Sequence, residues 1–181
     1  MGKRLTFILG GARSGKSTYA QNLVEASGQP ALYVATATAF DDEMAKRIEV
    51  HKASRPAHWR TLEAATQVGE AVRAEGATDW VLLDCLTLLA NNVLFSLPEP
   101  VDEADYGAAL DSEIDQLLDA YCAHPGEWVI VSNEVGLGLV PPYPLGRIYR
   151  DALGRVNQRI ASEADVVLLM VAGIPMTVKS K

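Results

Sequence analysis

The octet Gly10-Gly11-Ala12-Arg13-Ser14-Gly15-Lys16-Ser17 fits the pattern G-x-x-x-x-G-K-[ST]. Its glycines let the backbone curl until several N–H groups converge on phosphate oxygens. A helix starting at Lys16 would add the positive end of its dipole. Lys16 is placed to reach β- and γ-phosphates, and Ser17 to ligate Mg²⁺. The octet therefore predicts nucleotide binding, against the plainer reading of a glycine-rich turn. Asp84 is the second chemical group, closing the apolar run Trp80-Val81-Leu82-Leu83. An acid at the carboxyl end of a strand near a phosphate loop faces the metal ion or the substrate; otherwise it is a turn or cap residue. Glu134, after Ser132-Asn133, is a second acid candidate of the same kind. The third group is a cation cluster. Arg47 and His51 are spaced i, i+4 on an expected helix, and Lys52 and Arg55 follow at once. Neighbouring cations favour the neutral, nucleophilic form of an imidazole. The same cations suit a polyphosphate. A surface or capping role for His51 is the alternative, and the residues alone leave both open. His58, between Pro56 and Trp59, reads as packing, and His124, before Pro125, as an exposed loop residue.

Those groups need a frame that brings them together. Strands are expected at Leu5–Leu9, Ala31–Ala35, Trp59–Leu62, Trp80–Leu83, Trp128–Ser132 and Val166–Val171. Between them fall expected helices at Lys16–Glu25, Asp41–Ser54, Ala65–Glu75, Thr87–Phe95, Ala104–Ala123 and Leu145–Glu163. Strands alternating with helices predict an α/β fold, a three-layer sandwich around a mostly parallel sheet. Ligands in such sheets sit beyond the carboxyl ends of the strands. The octet, Asp84 and Glu134 all fall there.

The chain has 181 residues, which predicts one domain spanning 1–181. Hydrophobic residues are 49% and charged residues 22%, which excludes a disordered or coiled-coil chain. No apolar run approaches the roughly 20 residues of a membrane helix, so no membrane span is expected. Two cysteines, Cys85 and Cys122, make no disulfide framework, and a cytoplasmic location is expected. A net charge of −7 argues against a nucleic-acid partner. Ala74 to Gly146 holds 13 acids and no Lys or Arg, leaving 16 bases against 10 acids elsewhere. An anionic small ligand is expected at the basic parts, and Glu99–Asp119 is expected to be a solvated acidic surface. The guanine-reading motif N-K-x-D is absent, and Asp151-Ala152-Leu153-Gly154 is discounted because it lies inside an expected helix. A monofunctional small-molecule kinase and a non-catalytic nucleotide sensor are the competing classes.

Several runs together resemble one family. They are GGARSGKS (10–17), DDEM (41–44), HKASRP (51–56), WRTLE (59–63), LLDCLT (82–87), SNEVGLG (132–138) and RDALGRVNQRI (150–160). From about Leu5 to Lys179 the chain is similar to the bifunctional adenosylcobinamide kinase / adenosylcobinamide-phosphate guanylyltransferases of cobalamin biosynthesis. The resemblance implies two reactions. The γ-phosphoryl group of ATP or GTP passes to adenosylcobinamide, and GMP from GTP then passes to adenosylcobinamide phosphate. It implies His51 as the guanylyl carrier. It implies Ala35, Thr36, Ala37, Lys52, Ala53, Ser54, Arg55, Glu63 and Asp84 as guanine-nucleotide contacts beside Gly10–Ser17. It further implies a RecA-like phosphate-loop fold with one antiparallel strand, and a homotrimer.

Overall fold

The computed structural model describes residues 3–38, 42, 46, 49, 52, 53 and 55–181. Seven strands form one sheet in the order β3-β2-β4-β5-β1-β6-β7. They are β1 Leu5–Gly10, β2 Ala31–Ala35, β3 Arg60–Glu63, β4 Trp80–Asp84, β5 Glu127–Asn133, β6 Val166–Val171 and β7 Ile174–Ser180. All neighbouring pairs are parallel except β6 with β7. The labelled helices are α1 Lys16–Glu25, α2 Val68–Glu75, α3 Leu86–Phe95, α4 Glu103–Ala123 and α5 Pro144–Glu163. In the stretch expected to be helical at 41–54, Asp42, Lys46, Glu49, Lys52 and Ala53 are helical. The remainder of that stretch lies outside the described residues.

Alternation along the strands builds two cores. Leu5 and Phe7 of β1, Leu32 and Val34 of β2, and Val81 and Leu83 of β4 pack with α3, α4 and α5. Ile8, Tyr33 and Leu82, from the same three strands, pack with Ala20 and Val24 of α1. Helices therefore cover both faces, the arrangement of a three-layer α/β sandwich. Strands buried on both faces read as continuous apolar runs, which is why β1, β2, β4 and β6 were legible in the sequence.

Four expectations change. The helix expected from Ala65 starts at Val68, because Gln67 takes a left-handed conformation with φ 53°. The N-terminus of α2 is capped from α4: the Gln67 and Val68 N–H groups donate to the two Glu113 carboxylate oxygens, each at 2.8 Å. Glu113 is buried, so the acidic stretch is not all solvated surface. Asp111 and Asp115 are likewise engaged, both ion-paired to Arg159 of α5. His124 is buried rather than exposed. Its Nδ1 accepts from the Gly126 N–H at 3.0 Å, and its ring meets Trp128 edge-on at 5.8 Å. Burial lowers the pKa of this imidazole. Finally, β7 extends the sheet beyond the strands read from residue patterning. Ala172 and Gly173 both have positive φ, 50° and 84°, as a two-residue type I′ hairpin requires.

Candidate active site

The phosphate-loop octet bridges β1 and α1. Gly10 has φ 154°, and a Cβ there would lie 2.7 Å from the Met170 carbonyl oxygen. Gly15 has φ 92° and sits 3.2 Å, measured from a would-be Cβ, from Gly173 Cα. The Gly173 N–H donates to the Ser14 carbonyl at 3.0 Å, so the β6–β7 hairpin holds the loop from one side. Lys16 is buried, and its Nζ donates to the Gly11 carbonyl at 2.6 Å. Ser17, one residue on, is partly exposed at the start of α1.

A cavity of about 440 Å³ opens beside this loop at the carboxyl ends of the strands. Ala12 to Thr18 make one wall. Ala35, Asp84 and Asn133, from β2, β4 and β5, contribute to its floor, and Lys52, Arg55 and Glu63 also line it. The register explains the floor: Ala35 pairs with Asp84, and Tyr33 pairs with Leu82. Side chains at i and i+2 share a face, so Tyr33 and Asp84 lie diagonally on the α1 face. The Tyr33 hydroxyl donates to Asp84 Oδ2 at 2.8 Å. Burial, reinforced by the Asp84 charge, pushes the phenol pKa far above its usual value. The Arg55 guanidinium lies 3.8 Å from the centre of the Tyr33 ring. Lys52 pairs with Glu63 at 2.6 Å, and that hydrogen bond raises the ammonium pKa.

The remaining sequence-predicted residues divide clearly. Thr36 is fully buried and does not line the cavity. Its hydroxyl donates to the Cys85 carbonyl at 2.8 Å and accepts from the Cys85 N–H at 2.9 Å. It thereby fixes the chain just after Asp84, where the Asp84–Cys85 peptide is cis. Gly10 and Gly11 shape the loop without lining the cavity, and the exposed Ala53 is not among its lining residues either. His51 and Ser54 lie outside the described residues. Glu134 turns to a second cavity of about 450 Å³, with Arg150 and Asp151, and its carboxylate accepts from the Gly136 N–H at 2.6 Å. His58, expected to pack, is exposed instead, with its ring edge-on to that of Trp59 at 6.4 Å.

Sequence reasoning missed three supports. Tyr33 is one. Asn92 is the second: its Nδ2 donates to the Thr36 and Ala65 carbonyls at 2.8 and 2.9 Å, tying the loops after β2 and β3 to α3. An asparagine on the apolar face of LTLLANNVLF was the available signal. The third is Thr87, whose hydroxyl accepts from the Asn133 N–H at 2.8 Å.

A glycine-rich loop feeding a helix, with a strand-end acid across a cavity of about 440 Å³, defines a phosphate-loop protein of RecA-like architecture. A solved ATPase from the type III secretion system of pathogenic bacteria shares this fold. It aligns with TM-score 0.59 at 12% identity, over 96% of this chain and 56% of that one. More specifically, residues 6–178 match the CobU family model, described as cobinamide kinase / cobinamide phosphate guanyltransferase, and the chain belongs to that family. It is 45% identical to the bifunctional adenosylcobalamin biosynthesis protein CobU of Salmonella typhimurium, over 97% of this chain and 99% of that protein. It is also 45% identical to the bifunctional adenosylcobalamin biosynthesis protein CobP of Pseudomonas aeruginosa, over 96% of each chain. The chain is thus an enzyme of a kinase and nucleotidyltransferase family.

Proposed function

We propose that the 440 Å³ cavity performs both family reactions on adenosylcobinamide. In the first, the γ-phosphoryl group of ATP or GTP passes to the acceptor hydroxyl. In the second, GMP passes from GTP to the new phosphate, giving adenosylcobinamide-GDP. The observation that carries this reading is the sharing of one cavity. The phosphate loop and the Lys52 and Arg55 cations of the HKASRP run line the same space.

In the phosphoryl step, Lys16 and the loop N–H groups hold the polyphosphate in line with the acceptor. In the guanylyl step, His51 attacks the α-phosphorus of GTP and pyrophosphate leaves with the bond electrons. The resulting phosphoramidate is protonated and attacked by a phosphate oxygen of the acceptor, which returns the imidazole. Lys52 and Arg55 offset negative charge at the transferring phosphorus. Ala35, Thr36, Ala37, Ala53, Ser54 and Glu63 complete the guanine-nucleotide site in this reading, directly or by bracing.

The residues present fit Mg²⁺. This ion is usually held by one or two protein ligands plus substrate phosphates, not by an all-protein cage. Ser17 and Asp84 line one cavity, and no group of three or more acid, His or Cys side chains that could hold a metal occurs among the described residues. Bound there, Mg²⁺ would neutralise charge on the phosphate oxygens. The same reading includes a cytoplasmic homotrimer acting without nucleic acid or membrane. No helix among the described residues is long and apolar enough to cross a membrane. Exposed Leu137, Leu139 and Val140, and Ile174, Met176 and Val178 of β7, offer apolar surface for subunit contacts.

The test is incubation with Mg²⁺ and α-labelled GTP, beside His51→Ala. Label that survives alkali, is released by acid and appears on wild type alone is the expected result. Unlabelled wild type with intact γ-phosphoryl transfer to cobinamide would leave a plain kinase.

A further inference from the structure

We infer that Tyr33 is a two-ended positioning residue, its hydroxyl fixing Asp84 and its ring face seating Arg55. The inference rests on the reading above, in which Asp84 serves the metal side of the nucleotide and Arg55 its phosphates. Three observations support it. Tyr33 is 2% exposed and comes from β2, so its backbone is held by β3 and β4 on either side. Its hydroxyl reaches Asp84 Oδ2 at 2.8 Å, and among the described residues no other hydrogen bond falls on that carboxylate. Its ring centre lies 3.8 Å from the Arg55 guanidinium carbon, and Arg55 Nη1 also donates to Thr61 Oγ1 at 3.4 Å.

A carboxylate with one oxygen held by a buried donor presents the other in a fixed direction. Outer partners of this kind set the orientation of metal-ligating groups. A guanidinium seated on an aromatic face still has N–H donors for phosphate oxygens. One rigid side chain therefore sets the spacing between an acid and a cation that come from distant parts of the chain. Phenylalanine would keep the second function and lose the first. Leucine would lose both.

The experiment compares Tyr33→Phe, Tyr33→Leu, Asp84→Asn and Arg55→Ala by two readouts. One is GTP affinity with the metal chelated by EDTA. The other is the Mg²⁺ concentration giving half-maximal γ-phosphoryl transfer to cobinamide. Tyr33→Phe should raise the Mg²⁺ requirement about tenfold and leave GTP affinity in EDTA unchanged. Tyr33→Leu should also weaken GTP binding in EDTA, by about fivefold, and Phe in its place should restore it. Adding Tyr33→Phe to Asp84→Asn should change the Mg²⁺ requirement no further, which a general packing defect would not reproduce. Wild-type behaviour of Tyr33→Phe and Tyr33→Leu, with Asp84→Asn and Arg55→Ala both impaired, overturns the role of Tyr33 alone. Unimpaired Asp84→Asn or Arg55→Ala overturns the reading of that residue and, with it, the matching end of Tyr33. Should Tyr33→Leu not fold, the Phe variant and the double variant still decide the hydroxyl half, and Tyr33→Trp, which keeps an aromatic face, decides the other by the EDTA readout: wild-type GTP affinity supports the ring seat, and weakened affinity overturns it.

Discussion

Cys85 stands beside Asp84 on the cavity lining, and its thiol pKa is pushed up to about 11 by burial and then by the Asp84 charge. The thiolate is the reactive form, so Cys85 stays inert at neutral pH. Cys122, which is exposed, should be alkylated first by iodoacetamide at pH 7.5, as read by peptide mass. Faster labelling of Cys85 would contradict its raised pKa. His124 gives a pH prediction of definite sign. Its folded pKa lies below the 6.5 of the free side chain because burial penalises the charged ring. Its contribution to stability is therefore complete above pH 6.5 and is lost as pH falls below that value. Thermal unfolding between pH 5 and 8 should show a decline on the acid side that His124→Gln makes shallower. An unchanged slope would exclude His124 as its source. At this scale the phosphate loop and Asp84 were legible, because their chemistry depends on local spacing. Tyr33 was not, because its partners come from sheet register and from a chain segment more than twenty positions away. His124 was misread for a different reason: Gly126 and Trp128 are near neighbours in sequence, and only the local fold turns them onto a ring that Pro125 had suggested was in solvent.

Glu113 shows how one element borrows the end of another. A helix normally finds its cap in the residue just before it, yet Gln67 offers no side-chain cap to α2. The cap comes instead from the middle of α4, where Gly69 also packs so closely that a Cβ would lie 2.1 Å from the Gln116 carbonyl oxygen. Glu113→Ala leaves two backbone donors unpaired and should cost about 2–3 kcal/mol. For a domain of this size that lowers Tm by roughly 5–10 °C. Asp119→Ala, at an exposed position on the same helix, is the control, and an equal loss there would remove the cap from consideration. The helix start at Ala65 was misplaced because no local residue announces a cap supplied from 46 positions away. β7 lay beyond patterning for a different reason. Ile174, Met176 and Val178 do alternate with Pro175, Thr177 and Lys179, but a proline inside a short run argues against a strand, and here Pro175 is tolerated because the strand is an edge. The central strands were legible to within one or two residues because burial on both faces left a continuous apolar record.

Across the whole molecule, charge and apolar surface are unevenly shared. The cation-free middle of the sequence supplies α3, α4 and β5, while Lys16, Lys52 and Arg55 come from the N-terminal third and converge on one cavity. Leu139 is 96% exposed and Met176 is 55% exposed, more apolar surface than a monomer gains by showing. Sedimentation should give about three times the 19.5 kDa of one chain, and Leu139→Glu or Met176→Glu should shift the mass downward. A monomeric wild type would exclude the trimer. Overall architecture was legible from element order, whereas assembly is written in surfaces that sequence patterning does not separate from cores. β1 precedes every other strand of the sheet in the chain, yet its two sheet neighbours, β5 and β6, begin at Glu127 and Val166. The hairpin that holds Ser14 comes later still. A nascent chain must keep its phosphate loop unsupported until those segments emerge from the exit tunnel. A product stopped before Val166 therefore has the loop's sequence but not the sheet that shapes it.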